Sequence, residues 1–142
     1  MHTLNQILQS KGADIYSVSP DDPVLKAIQV MADHHVGALL VMRGTQLAGI
    51  ISERDYARKV VLMGRSSADT PVSAIMSTPV TTIGREATVN QCLELMSARR
   101  IRHLPVMDGE QVLAMLSIGD CVKAVIDDQQ HRIEDLERFI RT

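Results

Sequence analysis

Shifted by 65 residues against itself, the chain aligns Val18–Asp55 with Ile83–Asp120 without a gap, and nine of the 38 pairs are identical. They are Val24/Val89, Met31/Met96, Leu39/Leu104, Val41/Val106, Met42/Met107, Gly44/Gly109, Gln46/Gln111, Ser52/Ser117 and Asp55/Asp120. Other pairs, such as Ile28/Leu93 and Val36/Ile101, exchange one aliphatic side chain for another. The chain therefore uses one unit twice, and a unit of this size cannot cover its own apolar surface without its counterpart.

The pattern inside the unit predicts strand, helix, strand, strand, helix. Val24, Ile28 and Met31, matched by Val89, Leu93 and Met96, fall at i, i+4 and i+7 and make one apolar stripe of a helix. Asp22-Pro23 predicts the start of the first, with Asp22 as N-cap acceptor and Pro23 at the first helical position. Val36–Met42 has strand length, a turn follows at Arg43-Gly44 or Asp108-Gly109, and a second apolar run follows at Leu47–Ile51 or Val112–Leu116. Asp-Gly between apolar runs is a hairpin signal. After Ser52 and Ser117 the chain turns helical over Asp55–Leu62 and Asp120–Ile126, and Ile15–Val18 and Val80–Ile83 open the units as short extended pieces. The expected fold is mixed α/β, with two β-α-β-β-α repeats packed about a pseudo-two-fold axis.

Short apolar segments, Leu4–Leu8 and Val72–Met76, lead into the units, and the polar stretch Gly64–Pro71 reads as the connector. Ile133, Leu136 and Ile140 predict a terminal amphipathic helix that docks on its own chain or meets a second one. The division expected is a first repeat with its lead-in at 1–64, connector and second repeat at 65–128, and the terminal helix at 129–142.

Fifteen Lys+Arg against seventeen Asp+Glu give a net charge of −2, so no positive field draws in nucleic acid. With Tyr16, Tyr56 and Phe139 the chain has too few rings for stacking bases. The longest apolar runs are far short of a membrane span, and the stretch Met1–Gln6 lacks the charged head and apolar core of a secretory signal, which makes the cytoplasm the expected address. Cys92 and Cys121 lack C-x-x-C spacing and read as small apolar core residues. Asp33-His34-His35 is no metal site, since adjacent helical ligands diverge by about 100°. Gly44–Gly49 has the glycine spacing of a phosphate loop but is followed by Ile50-Ile51 where Lys and Ser/Thr are required. No nucleophile, metal or phosphate-loop motif of an enzyme is present, so a non-catalytic role is expected.

Gly49-Ile50-Ile51-Ser52-Glu53-Arg54-Asp55 and Met115-Leu116-Ser117-Ile118-Gly119-Asp120, supported by Arg102-His103-Leu104-Pro105-Val106, resemble the tandem CBS-domain pair, or Bateman module, in its small stand-alone bacterial form. The resemblance covers roughly Leu4 to Ile126. It implies a regulatory module that binds an adenine nucleotide between its repeats, with AMP the first expectation and ATP or an NAD-type compound behind it. It also implies a homodimer joined through the helices after the Ser-x-x-Asp turns, and a regulated protein as a further partner. The nucleotide-binding residues it implies are Ser17, Val18, Ala38, Ile51, Ser52, Arg54 and Asp55 from the first repeat, and Thr82, Ile83, Arg102, His103, Leu104, Ser117 and Asp120 from the second. Ala114 stands opposite Gly49 where the pattern has glycine, which would narrow a ligand's approach to the backbone, so two equivalent sites are not expected.

Each of these residues also has a plainer explanation. Ser52-x-x-Asp55 and Ser117-x-x-Asp120 are complete as helix-capping boxes. A carboxylate at a helix start can equally accept the two hydroxyls of a ribose, while the serine hydroxyl and free N–H groups meet a phosphate. Arg54 is either a solvated helix arginine or a bidentate phosphate partner. Arg99 and Arg100 complement the end of a helix dipole, as His34 and His35 do in the first repeat. Arg102 and His103 lie past that helix end and are the candidates for phosphate contact. The alternative readings are a ligand-free interaction scaffold, in which both boxes are only caps, and an enzyme built from distant carboxylates.

Overall fold

Two glycines with positive φ make the hairpins that centre each repeat. Gly44 (φ +64°) joins β2 (Ala38–Arg43) to β3 (Gln46–Ser52), and Gly109 (φ +61°) joins β5 (His103–Asp108) to β6 (Gln111–Ser117). A side chain with a Cβ disfavours that conformation, so the turns sit where glycine recurs in the repeat. The computed structural model describes residues 3–11 and 15–141, and of Ser10 and Lys11 only the backbone. The first two residues of the stretch read for a targeting signal thus lie outside the described residues.

Short strands β1 (Ser17–Val18) and β4 (Ile83–Gly84) pair in parallel with β2 and β5, giving two three-stranded sheets in the orders β1-β2-β3 and β4-β5-β6. Helices α2 (Val24–His34) and α4 (Val89–Arg99) cross over between the parallel strands, as the parallel connection requires. The fold is the mixed α/β pattern expected from the repeat. Val24, Ala27 and Met31 of α2, and Val89, Cys92 and Met96 of α4, are the buried stripes.

The two lead-in segments do not stay with the repeats they precede. Helix α1 (Leu4–Lys11) buries Leu4 and Ile7 among Val89, Met96, Leu104, Val106 and Leu116 of the second repeat. The segment that leads into the second repeat, a 3-10 turn over Val72–Ala74, buries Val72 and Ile75 among Val24, Met31, Leu39, Val41 and Ile51 of the first. The chain accordingly divides into two units, one built on the first repeat and one on the second repeat with α1.

Three local expectations change. Asp22 does not cap α2: its carboxylate accepts from Ser19 N at 2.8 Å and pairs with Lys26 at 3.3 Å, and Pro23 is the N-cap with no side-chain bond. The donors at the head of α2 go instead to carbonyls of the connector, Val24 N to Thr70 O at 2.8 Å and Leu25 N to Ser67 O at 3.0 Å. The connector is thus sewn onto the first unit, with Thr70 buried and its hydroxyl bonded to Ser66 O. In the second repeat Thr88 and Gln91 form the capping box that α2 lacks.

The helices after the Ser-x-x-Asp boxes also differ from expectation and from each other. In the first repeat, α3 (Glu53–Tyr56) widens into a π-helical turn over Ala57–Val61. In the second, α5 runs unbroken from Ile118 to Arg141, so the terminal amphipathic segment continues the repeat's own helix. Among the described residues no helix is long and apolar enough to cross a membrane.

Gly49 has a packing role. A Cβ there would meet Met76 Sδ at 2.7 Å and Ser77 O at 3.1 Å, because Ser77 forms an isolated antiparallel bridge to Ile50. The Met76 side chain and the Ser77 backbone thus give glycine a packing reason at this position, beside the ligand approach considered above.

The two cysteines are buried in the second core, with the Cys121 thiol donating to Cys92 Sγ at 3.5 Å. That hydrogen bond, then burial, then the charge of neighbouring groups push the Cys92 thiol far up, so it stays protonated at neutral pH.

Two predictions follow from this packing. Gly49→Ala should cost about 1–3 kcal/mol in urea unfolding, while Gly84→Ala, whose Cβ would meet nothing within 4 Å, should be close to neutral. An unfolded thiol ionises near pH 8.5 whereas folded Cys92 does not, so above that pH the unfolded state binds fewer protons. Stability should therefore fall as pH rises past about 8.5, by up to about 1.4 kcal/mol per pH unit. Cys92→Ala should lose that part of the slope when unfolding is followed between about pH 7 and 10.

Candidate functional site

In each unit one backbone hydrogen bond brings the expected residues to the same end of a sheet. Glu53 N donates to Gly37 O at 3.0 Å, and Ile118 N donates to Arg102 O at 2.8 Å. The first residue of the central strand, Ala38 or His103, is thereby held beside the Ser-x-x-Asp box that ends the next strand; Ala38 is in register with Ser52. The arrangement follows from hairpin length, since two strands joined by a two-residue turn must end together.

Both boxes are fully formed. Asp55 Oδ2 accepts from Ser52 N and Ser52 Oγ, each at 3.0 Å, and Asp55 N donates to Ser52 Oγ at 3.2 Å. Asp120 Oδ2 accepts from Ser117 N at 2.8 Å and Ser117 Oγ at 3.0 Å, and Asp120 N donates to Ser117 Oγ at 3.1 Å. Capping leaves the second carboxylate oxygen outside the box in both cases.

What meets that second oxygen in the first repeat was not read from the sequence. Asp55 Oδ1 accepts from Ser77 Oγ at 3.1 Å and pairs with Lys59 Nζ at 3.1 Å, and Lys59 also donates to Ile75 O at 2.9 Å. Asp55 is 8% exposed, so these bonds keep a nearly buried carboxylate compensated. Lys59 lies one helical turn past Asp55, a spacing that signals such a pair, while Ser77 arrives from a distant part of the chain. In the second repeat the position matching Lys59 is Ala124, which is buried in the core.

The other expected residues divide into two sets, one per unit. Ser17 is exposed on β1, opposite Leu40, and Arg54 is exposed on α3. Val18 and Ile51 point into the first core and Leu104 into the second, which leaves them only main-chain groups to offer a ligand. Thr82 is exposed just before β4, and Ile83 pairs with Val106. Arg102 is exposed and His103 half-buried at the sheet end that carries Ser117 and Asp120. That end therefore combines a capping carboxylate with two groups suited to an anion. Arg99 and Arg100 stay at the helix end, where Arg100, like His35, takes φ +54°. His34 stacks on Tyr16 with ring centroids 3.8 Å apart, and among the described residues no three His, Cys, Asp or Glu side chains gather as a metal site. An open groove between α4 and α5, lined by Val89, Ala124, Val125 and Arg132, contains none of the expected residues.

Residues 9–62 and 72–127 each match the CBS domain. The mitochondrial CBS domain-containing protein CBSX3 of Arabidopsis thaliana is 38% identical over 148 residues, which span 98% of this chain and 72% of the relative. A solved CBS-domain protein from Burkholderia ambifaria MC40-6 is 47% identical with a TM-score of 0.87, covering 90% of this chain and 96% of its own. The CBS domain pair of protein MJ0100, solved with 5′-methylthioadenosine and S-adenosyl-L-methionine, has a TM-score of 0.80 over 90% of this chain and 98% of its own. At 19% identity that last likeness is one of fold.

Proposed function

The chain belongs to the CBS-domain family, and we propose that it is a non-catalytic regulatory module that binds an adenine nucleotide, AMP first among them, and signals through a homodimer or a regulated protein. The observation that carries this reading is the end of the β4-β5-β6 sheet. There the Asp120 carboxylate is oriented through Oδ2 by Ser117, while His103 opens the adjoining strand and Arg102 stands just before it. A carboxylate suits ribose hydroxyls, and an arginine with a histidine suits a phosphate. The adenosyl ligands of the MJ0100 domain pair support the same ligand class.

The two repeats take unequal parts in this reading. Asp55 is closed from within by Lys59 and Ser77, and a ribose would have to displace both. Asp120 has Ala124 where Asp55 has Lys59. We assign the ribose contact to Asp120 because Arg102 and His103, the groups suited to a phosphate, stand at its end of the sheet, with Ser117 beside it and Thr82, Ile83 and Leu104 offering main chain. Ser17, Val18, Ala38, Ile51, Ser52, Arg54 and Asp55 form the secondary site. Occupancy acts on the fold by the ligand's differential affinity for one state, and the cations it neutralises are the source of that difference.

The test is thermal unfolding of nucleotide-stripped protein against AMP, ADP, ATP, NAD and S-adenosyl compounds. A ligand at 100 times its Kd adds about 2.7 kcal/mol, a rise on the order of 8 °C for a chain of this size. Asp120→Asn should abolish most of that rise, since a hydrogen bond to a charged acceptor is worth about 1.5–3 kcal/mol, and Asp55→Asn should leave it largely intact. Lys59→Ala should lower the unliganded melting temperature and add ligand affinity in the first repeat. A flat panel, checked by calorimetry, would reduce both boxes to caps and leave the scaffold reading. The reverse ranking of the two aspartates would overturn the assignment to the second repeat.

A further inference from the structure

The distal half of α5 is a helix without cover. The helix has 24 residues, about 36 Å in length, yet its buried residues are Cys121 and Ala124, both in the first two turns. From residue 129 to 141 every described side chain is exposed. A lone helical segment of that length is marginal in water. Its apolar residues are nonetheless large and aligned: Ile126 is 58% exposed, Ile133 48%, Leu136 61% and Ile140 80%.

Their spacing has a period of 3.5 residues. Ile126, Ile133 and Ile140 recur every seven positions, and Val122, Gln129 and Leu136 stand four before each. That is an a/d seam with isoleucine at every a and leucine at the last d, a choice that favours two strands. The opposite face is served within the helix, where Arg138 pairs with Asp135 at 3.4 Å. Charge then selects the orientation. Arg132 falls at g and Glu137 at the following e, the two positions that face each other across a parallel pair. An antiparallel pair centred on Ile133 would instead bring the two Arg132 side chains together, which is repulsive. Arg132 reaches Asp128 on its own helix at 3.6 Å, an exposed contact that does not prevent it from turning to a second chain.

We propose that the α5 helices of two copies pair in parallel and in register as a short two-stranded coiled coil, with Ile126, Ile133, Leu136 and Ile140 in the seam and Arg132 of each chain on Glu137 of the other. The proposal rests on the homodimer reading above and specifies its partner, orientation and register. The seam lies beyond the CBS-matched residues for most of its length. It gives the module a self-recognition element that the repeat itself does not contain.

Cysteine cross-linking of the full chain, read beside sedimentation equilibrium, tests it. Ile140→Cys should give a disulfide-linked dimer under mild oxidation. Wild type, with its two cysteines buried, and Arg138→Cys on the outer face should not. Arg132→Glu and Glu137→Arg should each weaken the dimer about ten-fold, equal to about 1.4 kcal/mol, and the double swap should restore it. Circular dichroism confirms that each variant is folded. A dimer in which Ile140→Cys fails to cross-link, or cross-links no better than Arg138→Cys, would overturn parallel pairing and leave the homodimer standing. A monomer at all concentrations would overturn both.

Discussion

Neither repeat can close its own core, and the rest of the architecture depends on how that deficit is met. A three-stranded sheet with its helices leaves apolar surface that needs further side chains. Leu4 and Ile7 supply them to the second repeat, Val72 and Ile75 to the first. Both pairs are spaced i, i+3, and each is followed by a partly buried residue, Leu8 or Met76, packed against the same core. Leu4 and Ile7 thus reach the second repeat from the far end of the sequence, whereas Val72 and Ile75 complete the first repeat as the chain leaves it. The second of these segments also brings Ser77 against β3, which crowds position 49 and supplies one of the partners of Asp55.

The repeats keep their backbone and diverge in side chains around one carboxylate. The Ser-x-x-Asp boxes match to within a few tenths of an ångström, and the bonds tying Glu53 to Gly37 and Ile118 to Arg102 are counterparts. What changes is the source of positive charge. In the first repeat Lys59 reaches back one turn to neutralise Asp55 internally; in the second Ala124 is core, and the phosphate candidates are Arg102, just before β5, and His103 at its start. A nearly buried carboxylate paired with a lysine keeps its charge compensated within the fold. On the proposed reading this is why duplication produced one ligand-facing end and one self-satisfied end.

What was legible beforehand was local. The hairpins were readable because Gly44 and Gly109 recur between apolar runs, and the boxes because a Ser with an acid three residues on needs nothing from the rest of the chain. The Asp22 cap was misassigned because the donors of α2 are met by Thr70 and Ser67, more than forty residues away. Ser77 and the reason for Gly49 were hidden for the same cause: both depend on where a distant segment crosses. The Asp55–Lys59 spacing stood in the sequence, and only its burial shows what it does. The boundary drawn at residue 128 falls within α5, and no Gly or Pro interrupts the chain after Gly119. It marked the end of the repeat, and α5 does not stop there.

The two helices that follow the boxes carry this divergence outward. In the first repeat the helix is held down on several sides: Lys59 bonds Ile75 O, Tyr56 OH meets Ser67 Oγ at 3.1 Å, and the turn widens to a π form before ending at Gly64, whose φ is +67°. Insertions of that kind interrupt the regular ladder and often mark constrained segments. In the second repeat Ala124 is buried in the core and the helix runs on for a further seventeen residues to Arg141. The lysine that pairs with Asp55 thus has its counterpart in a core alanine on α5. On the proposed readings, ligand recognition and self-association both fall to the second unit, the one whose helix after the box runs unbroken.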